Sequence, residues 1–158
     1  MKRNILAILL VLGSLYTGPG LALVIEKDVT QLSNEADRIV VAAVADLESA
    51  WAPDGLTIYT DVTLQVEQDL KNSGASTITV RIPGGTVGDL SMVESDTPTF
   101  ELGERVVAFL KTDDQKELMI WGWYQGKYSV IGDRAENDDP QLSRPLADLL
   151  ETITTADH

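Results

Sequence analysis

The sequence predicts a mostly-β domain, a small antiparallel barrel with a short helix at either end. Three observations predict it. Ile39 to Leu47 is an apolar run rich in Val and Ala, with no polar face. Such a run reads as a central strand buried on both sides. Leu56, Ile58, Val62, Leu64 and Val66 alternate with Thr57, Tyr59, Asp61, Thr63, Gln65 and Glu67. That is a period of two, the spacing that puts successive side chains on opposite faces of a strand. Turn signals then divide the chain at short intervals, at Ala52-Pro53-Asp54-Gly55, Lys71-Asn72-Ser73-Gly74 and Pro83-Gly84-Gly85.

The elements follow in order. Asp28 is a good N-cap, and Val29, Leu32 and Ala36 behind it have helical spacing, so two turns of helix are expected to end near Asp37. The apolar run and the alternating run should form a long antiparallel hairpin, with Trp51 near Leu56 across a four-residue loop. Thr77 to Ile82 forms the next strand, with Ile78, Val80 and Ile82 inward. Thr86 to Gly103 is irregular, apart from a short strand expected within Leu90 to Val93. Val106 to Leu110 is another buried strand, and Thr112 to Lys116 a polar turn.

Leu118 to Tyr124 and Lys127 to Ile131 read as a hairpin about a two-residue Gln125-Gly126 loop. That pairing sets Trp123 opposite Tyr128 and Trp121 opposite Val130. Gly132 to Asp139 is an acidic loop. Leu142, Leu146, Leu149, Leu150 and Ile153 then mark an amphipathic C-terminal helix, with Ser143 as its cap and Pro145 in its first turn. Five main strands with flanking helices suit an OB-type barrel, with a β-sandwich as the alternative.

The chain has 158 residues, a length that suits one domain after a leader. Lys2 and Arg3 precede an apolar stretch from Ile5 to Leu12, and Gly20-Leu21-Ala22 has the small residues of a cleavage site. Residues 1–22 are therefore expected to be a signal peptide, 23–139 the β domain, and 140–158 the C-terminal helix and tail. The protein is expected to be exported, periplasmic or extracellular, with no membrane span left after cleavage. The formal net charge is -13, and every acidic residue lies after Ala22. Such a chain repels phosphate backbones, which argues against nucleic acid as a partner.

The composition also limits chemistry. There is no cysteine, so disulfides, thiolate metal sites and a cysteine nucleophile are excluded. The only histidine is the terminal His158, which leaves no Ser-His-Asp triad and no histidine-based zinc site. Gly84-Gly85 and Gly88 lack the Lys-Ser/Thr of a phosphate loop.

Four segments, Ala36-Asp37-Arg38-Ile39-Val40-Val41-Ala42, Tyr59-Thr60-Asp61-Val62-Thr63-Leu64-Gln65-Val66, Asp69-Leu70-Lys71-Asn72 and Val80-Arg81-Ile82-Pro83-Gly84-Gly85, resemble a group of uncharacterised exported bacterial proteins. More distantly, the order of strands and turns over about residues 28–131 resembles netrin-like domains. These are OB-type barrels, as in the tissue inhibitors of metalloproteinases. The resemblance implies a fold. Those inhibitors chelate the protease zinc with an N-terminal cysteine, whereas the matching position here is Leu23, so inhibition does not carry over.

Two groups of residues are candidate sites. Trp121, Trp123, Tyr124 and Tyr128 would give a hairpin an aromatic face able to hold a protein or a saccharide, if they do not belong to the core. Asp133, Glu136, Asp138 and Asp139 crowd one loop and could ligate a hard cation such as calcium, although their spacing departs from an EF-hand. No cofactor is otherwise implied. The sequence thus leads to an exported, non-enzymatic binding module of unspecified ligand. The alternatives are a carboxylate-dependent hydrolase, with or without calcium, and an accessory domain of an envelope or secretion system whose last helix docks a partner.

Overall fold

The computed structural model describes residues 26–156; the expected leader and His158 lie outside them. The chain is mostly β with two short helices. Helix α1 spans Val29–Glu35. Ten strands follow: β1 (Arg38–Trp51), β2 (Ile58–Lys71), β3 (Thr77–Pro83), β4 (Gly85–Val87), β5 (Leu90–Met92), β6 (Arg105–Thr112), β7 (Leu118–Ile120), β8 (Lys127–Ile131), β9 (Arg134–Glu136) and β10 (Arg144–Pro145). Helix α2 closes the described chain at Leu146–Thr155.

Eight strands form one antiparallel sheet in the order β10-β9-β8-β6-β1-β2-β3, with β7 also paired to β6. Strands β4 and β5 form a separate two-stranded flap. The sheet is not closed into a barrel. Its β3 and β7 edges approach each other, but no backbone ladder joins them among the described residues. The physical reason lies in β6. Beyond β1, its free edge is shared by two short strands in tandem: β8 pairs with Val106 to Ala108, and β7 pairs with Leu110 to Thr112. The sheet therefore continues outward through β8, β9 and β10 instead of closing on β3.

Strand alternation divides β1 and β6 between two cores. Ile39, Val41, Val107 and Phe109 face α1 and α2, where they meet Leu32, Tyr128, Leu149 and Ile153. Val40, Ala42, Val44, Val106, Ala108 and Leu110 face the other way, onto Val62, Leu64, Ile78, Val80 and Ile120. The doubly apolar run thus lies between two buried layers. Helix α1 starts as expected: Gln31 N–H donates to Asp28 Oδ1 at 2.7 Å, and Asp28 N–H donates to Gln31 Oε1 at 3.1 Å. Its C-terminal carbonyls receive Lys71 Nζ, 2.8 Å from Ser33 O.

Several local expectations are corrected. Trp51 pairs with Ile58, not Leu56, because Ala52 N–H donates to Thr57 O and Asp54 Oδ1 accepts from Leu56 N–H, widening the loop. Leu56 is 76% exposed as a result. The segments 118–124 and 127–131 do not pair with each other. Trp123–Gly126 is a 3₁₀ turn, entered through Gly122 and Trp123 with φ of +82° and +58°. A Cβ on Gly126 would lie 1.8 Å from Trp121 O, so only glycine permits this close turn. Ser143 does not cap α2. Its hydroxyl accepts from Asn137 N–H at 3.0 Å, and Pro145 occupies the cap position without a side-chain bond.

Candidate binding cleft

The core of Val62, Leu64, Val80 and Leu110, the inner core, is open at one end, and the flap leans over the opening. Strand β3 ends at Pro83, and Gly84 and Gly85 turn the chain back with φ of +93° and +135°. A Cβ on Gly85 would lie 2.3 Å from Thr60 Oγ1 and 2.5 Å from Ser49 Oγ. Glycine is thus what lets the flap lie directly on β1 and β2. Gly84 N–H donates to Ile58 O at 2.8 Å, and Ile58 N–H reaches Met92 Sδ at 3.5 Å.

Beneath the flap is a cleft of about 460 Å³, within the usual size range of ligand sites. Leu47, Ile82 and Phe100 form its inner end and also pack on the inner core. Met92, Val93 and Pro98 supply apolar surface from the flap and the segment after it. Hydroxyls are present, but most are already paired. Thr60 Oγ1 donates to Gly84 O at 2.8 Å and lies 2.8 Å from Ser49 Oγ. Thr86 and Ser91 hydroxyls pair with each other at 2.8 Å. Among the described residues two lining hydroxyls make no hydrogen bond: Thr97 Oγ1, which is buried, and the hydroxyl of Thr99, an exposed residue. The cleft therefore presents apolar surface and, on Thr99, an exposed hydroxyl still able to bond.

Its electrostatics are one-sided. Among the described residues Glu94 is the only ionisable one in the lining. Residues 82–104, which build the flap and the outer wall, contain Asp89, Glu94, Asp96, Glu101 and Glu104 and no lysine or arginine. Of these, Glu104 is paired to Lys127; the other four are exposed.

The aromatic residues singled out from the sequence do not form one face. Tyr128 is buried and packs on Phe109 with ring centroids 6.3 Å apart; burial raises its phenol pKa. Trp121 packs against the helix-covered core, its Nε1–H donating to Glu35 Oε2 at 3.0 Å, with Lys111 Nζ 4.0 Å from its ring. Tyr124 N–H donates to Asp96 O, which ties the 3₁₀ turn to the outer wall of the cleft. Trp123 is 42% exposed. The acidic loop is organised by a buried amide. Asn137 Nδ2 donates to Tyr124 O and Lys127 O, both at 2.9 Å, and Asn137 Oδ1 accepts from Asp139 N–H. Glu136 pairs with Arg134, which lowers its pKa. Among the described residues no three acidic or histidine groups converge as a metal site would require.

Two charged clusters lie outside the cleft. Arg81 binds Asp61 through two bonds of 2.8 and 2.9 Å, pairs with Glu117, and lies 3.9 Å from the Tyr59 ring. It bridges β3 to the segment entering β7, and these carboxylates hold its pKa above the usual arginine value. Asp61 and Arg81 are directly opposite in the β2–β3 register. Lys127 is deeper. Its side chain is 4% exposed, and Nζ donates to Glu104 Oε1 at 2.5 Å and to Ser129 Oγ at 2.7 Å. Ser129 also donates to Glu104. The three side chains form one hydrogen-bonded cluster that joins β8 to the chain entering β6.

No protein-family model matches the chain, and no curated protein matches it in sequence.

Proposed function

We propose that the protein is an exported, non-enzymatic binding module that holds its ligand in the cleft beneath the β4–β5 flap. The observation that carries this reading is the polar accounting of the cleft. Its apolar surface continues the inner core, and four of its six hydroxyls are already paired, leaving those of Thr97 and Thr99. A site of that kind gains from desolvating an apolar group and orients it with few polar contacts. Among the described residues Glu94 is its only carboxylate, which favours binding over hydrolysis by a carboxylate pair. Export belongs to the same proposal and rests on the basic, apolar and small-residue order of residues 1–22. An OB-type relationship belongs to it too, supported by the Arg81 bridge between the two edges that a barrel would join. The covered apolar stripe of α2, with Leu149 and Ile153 fully buried, speaks against that helix as the docking element.

The test is fluorescence of N-phenyl-1-naphthylamine added to the purified protein. Emission should rise and saturate, and Thr99→Trp should abolish the rise. Thr99 is an exposed residue of the lining, so the variant fills the cleft without touching the core. No enhancement, or equal enhancement in a folded Thr99→Trp protein, would remove the cleft as a ligand site.

A further inference from the structure

We infer that the occupant of this cleft is a basic peptide segment of a partner protein, with an apolar side chain seated under the flap and lysines or arginines flanking it. The inference rests on the binding reading above and adds the chemistry of the ligand. Three observations carry it. The inner end of the cleft is apolar, with Leu47, Ile82 and Phe100 continuous with the core. That end suits an aliphatic or aromatic side chain, and it holds no charged group to pair with a ligand's. The charge lies instead along the wall and flap, at Asp89, Glu94, Asp96 and Glu101, all exposed and with no basic residue between Ile82 and Glu104. An apolar site whose acidic wall outnumbers its one nearby cation, Lys127, itself paired to Glu104, selects a ligand that is apolar at its centre and positive around it. Finally, Val93 at the lip is 91% exposed and Leu90 in the flap 60%. Apolar and acidic groups thus alternate along an extended stretch of chain, longer than a single small cation can contact. An extended peptide matches that length, and its backbone carbonyl can accept from the exposed Thr99 hydroxyl.

The experiment uses dansylated pentapeptides with a central leucine and flanks of lysine, serine or glutamate. Binding to the full chain is followed by anisotropy, with displacement of N-phenyl-1-naphthylamine as the report on location. The lysine-flanked peptide should bind about tenfold tighter than the serine-flanked one at low salt, a factor within reach of two or three exposed ion pairs. The preference should collapse at high salt. A Glu94→Lys/Asp96→Lys variant should reverse it in favour of glutamate flanks. Equal binding of the serine- and lysine-flanked peptides overturns the charge selection and leaves the cleft reading intact. A lysine-flanked peptide that neither displaces the dye nor loses affinity in Thr99→Trp overturns the inference, since the acidic surface alone would then hold it. Dye binding without any peptide binding overturns the peptide and spares the cleft. Failure of dye and peptides together removes both readings.

Discussion

The two faces of the sheet end differently. On one, α1 and α2 cover β1, β6 and β8, and the core between them is sealed. On the other, the core of Val62, Leu64, Val80 and Leu110 runs out into a cleft roofed only by a three-residue-a-side flap. The same alternating strands build both. What differs is the cover. A helix brings an apolar stripe that matches the sheet, whereas the flap rests on a glycine contact, a backbone bond at its hinge, a bond to Met92 and a few hydroxyl bonds. Stability should therefore concentrate on the helix-covered face, and ligand access on the other.

The largest effect expected from this contrast is on the sealed face. Ile153→Ala deletes a fully buried side chain of α2 packed on the sheet. Chemical denaturation should show a loss of about 3–4 kcal/mol. Val93→Ala at the lip of the cleft should cost less than about 0.5 kcal/mol. If the two variants lose similar amounts, the two faces do not divide stability in this way.

Lys127 lies at the junction of the two regions, its ammonium 5.4 Å from the Phe100 ring that walls the cleft. Lys127→Ala strands the Glu104 carboxylate in a half-buried site and should cost about 3 kcal/mol. A Lys127→Met/Glu104→Leu double variant removes both charges and should recover most of that loss. Denaturation of both variants checks it. A double variant as weak as the single one would mean that the pair itself, not the stranded charge, holds the segment.

What the sequence revealed follows from how local each feature is. The Asp28 cap and the doubly buried strand are each encoded within one segment. The 3₁₀ turn was misread because Gln125-Gly126 has the composition of a hairpin loop. The clue against it was Gly122, which supplies a left-handed residue before Trp123. Strand β4 was hidden because Gly84-Gly85 reads as a terminator; here it is the hinge of the flap. The cleft was not legible at all. Its lining joins Leu47 and Ser49, Thr60, Ile82 to Thr86 and Ser91 to Phe100, and no pattern in any one of these segments announces the others. The candidate aromatics were visible, but alternation could not assign them to faces once the strand pairing differed.

The smallest effect is a pH dependence, again on the sealed face. Glu35 at the end of α1 accepts from Lys27 at 2.6 Å and from Trp121 Nε1–H at 3.0 Å. The Lys27 bond is the main cause of its lowered pKa, followed by the Trp121 bond and the nearby Lys111 charge. A carboxyl whose folded pKa lies below its unfolded value stabilises the fold above that unfolded value, here 4.5. The contribution fades as pH falls through the lower, folded value. Glu35 is 40% exposed at its side chain, so solvent screening should hold the term below about 1 kcal/mol. Glu35→Gln should therefore lower the urea midpoint slightly at neutral pH and leave it unchanged once both forms are protonated. A difference that persists in acid would point to the lost geometry of the Trp121 bond, not to charge, as what fastens α1 to the sheet.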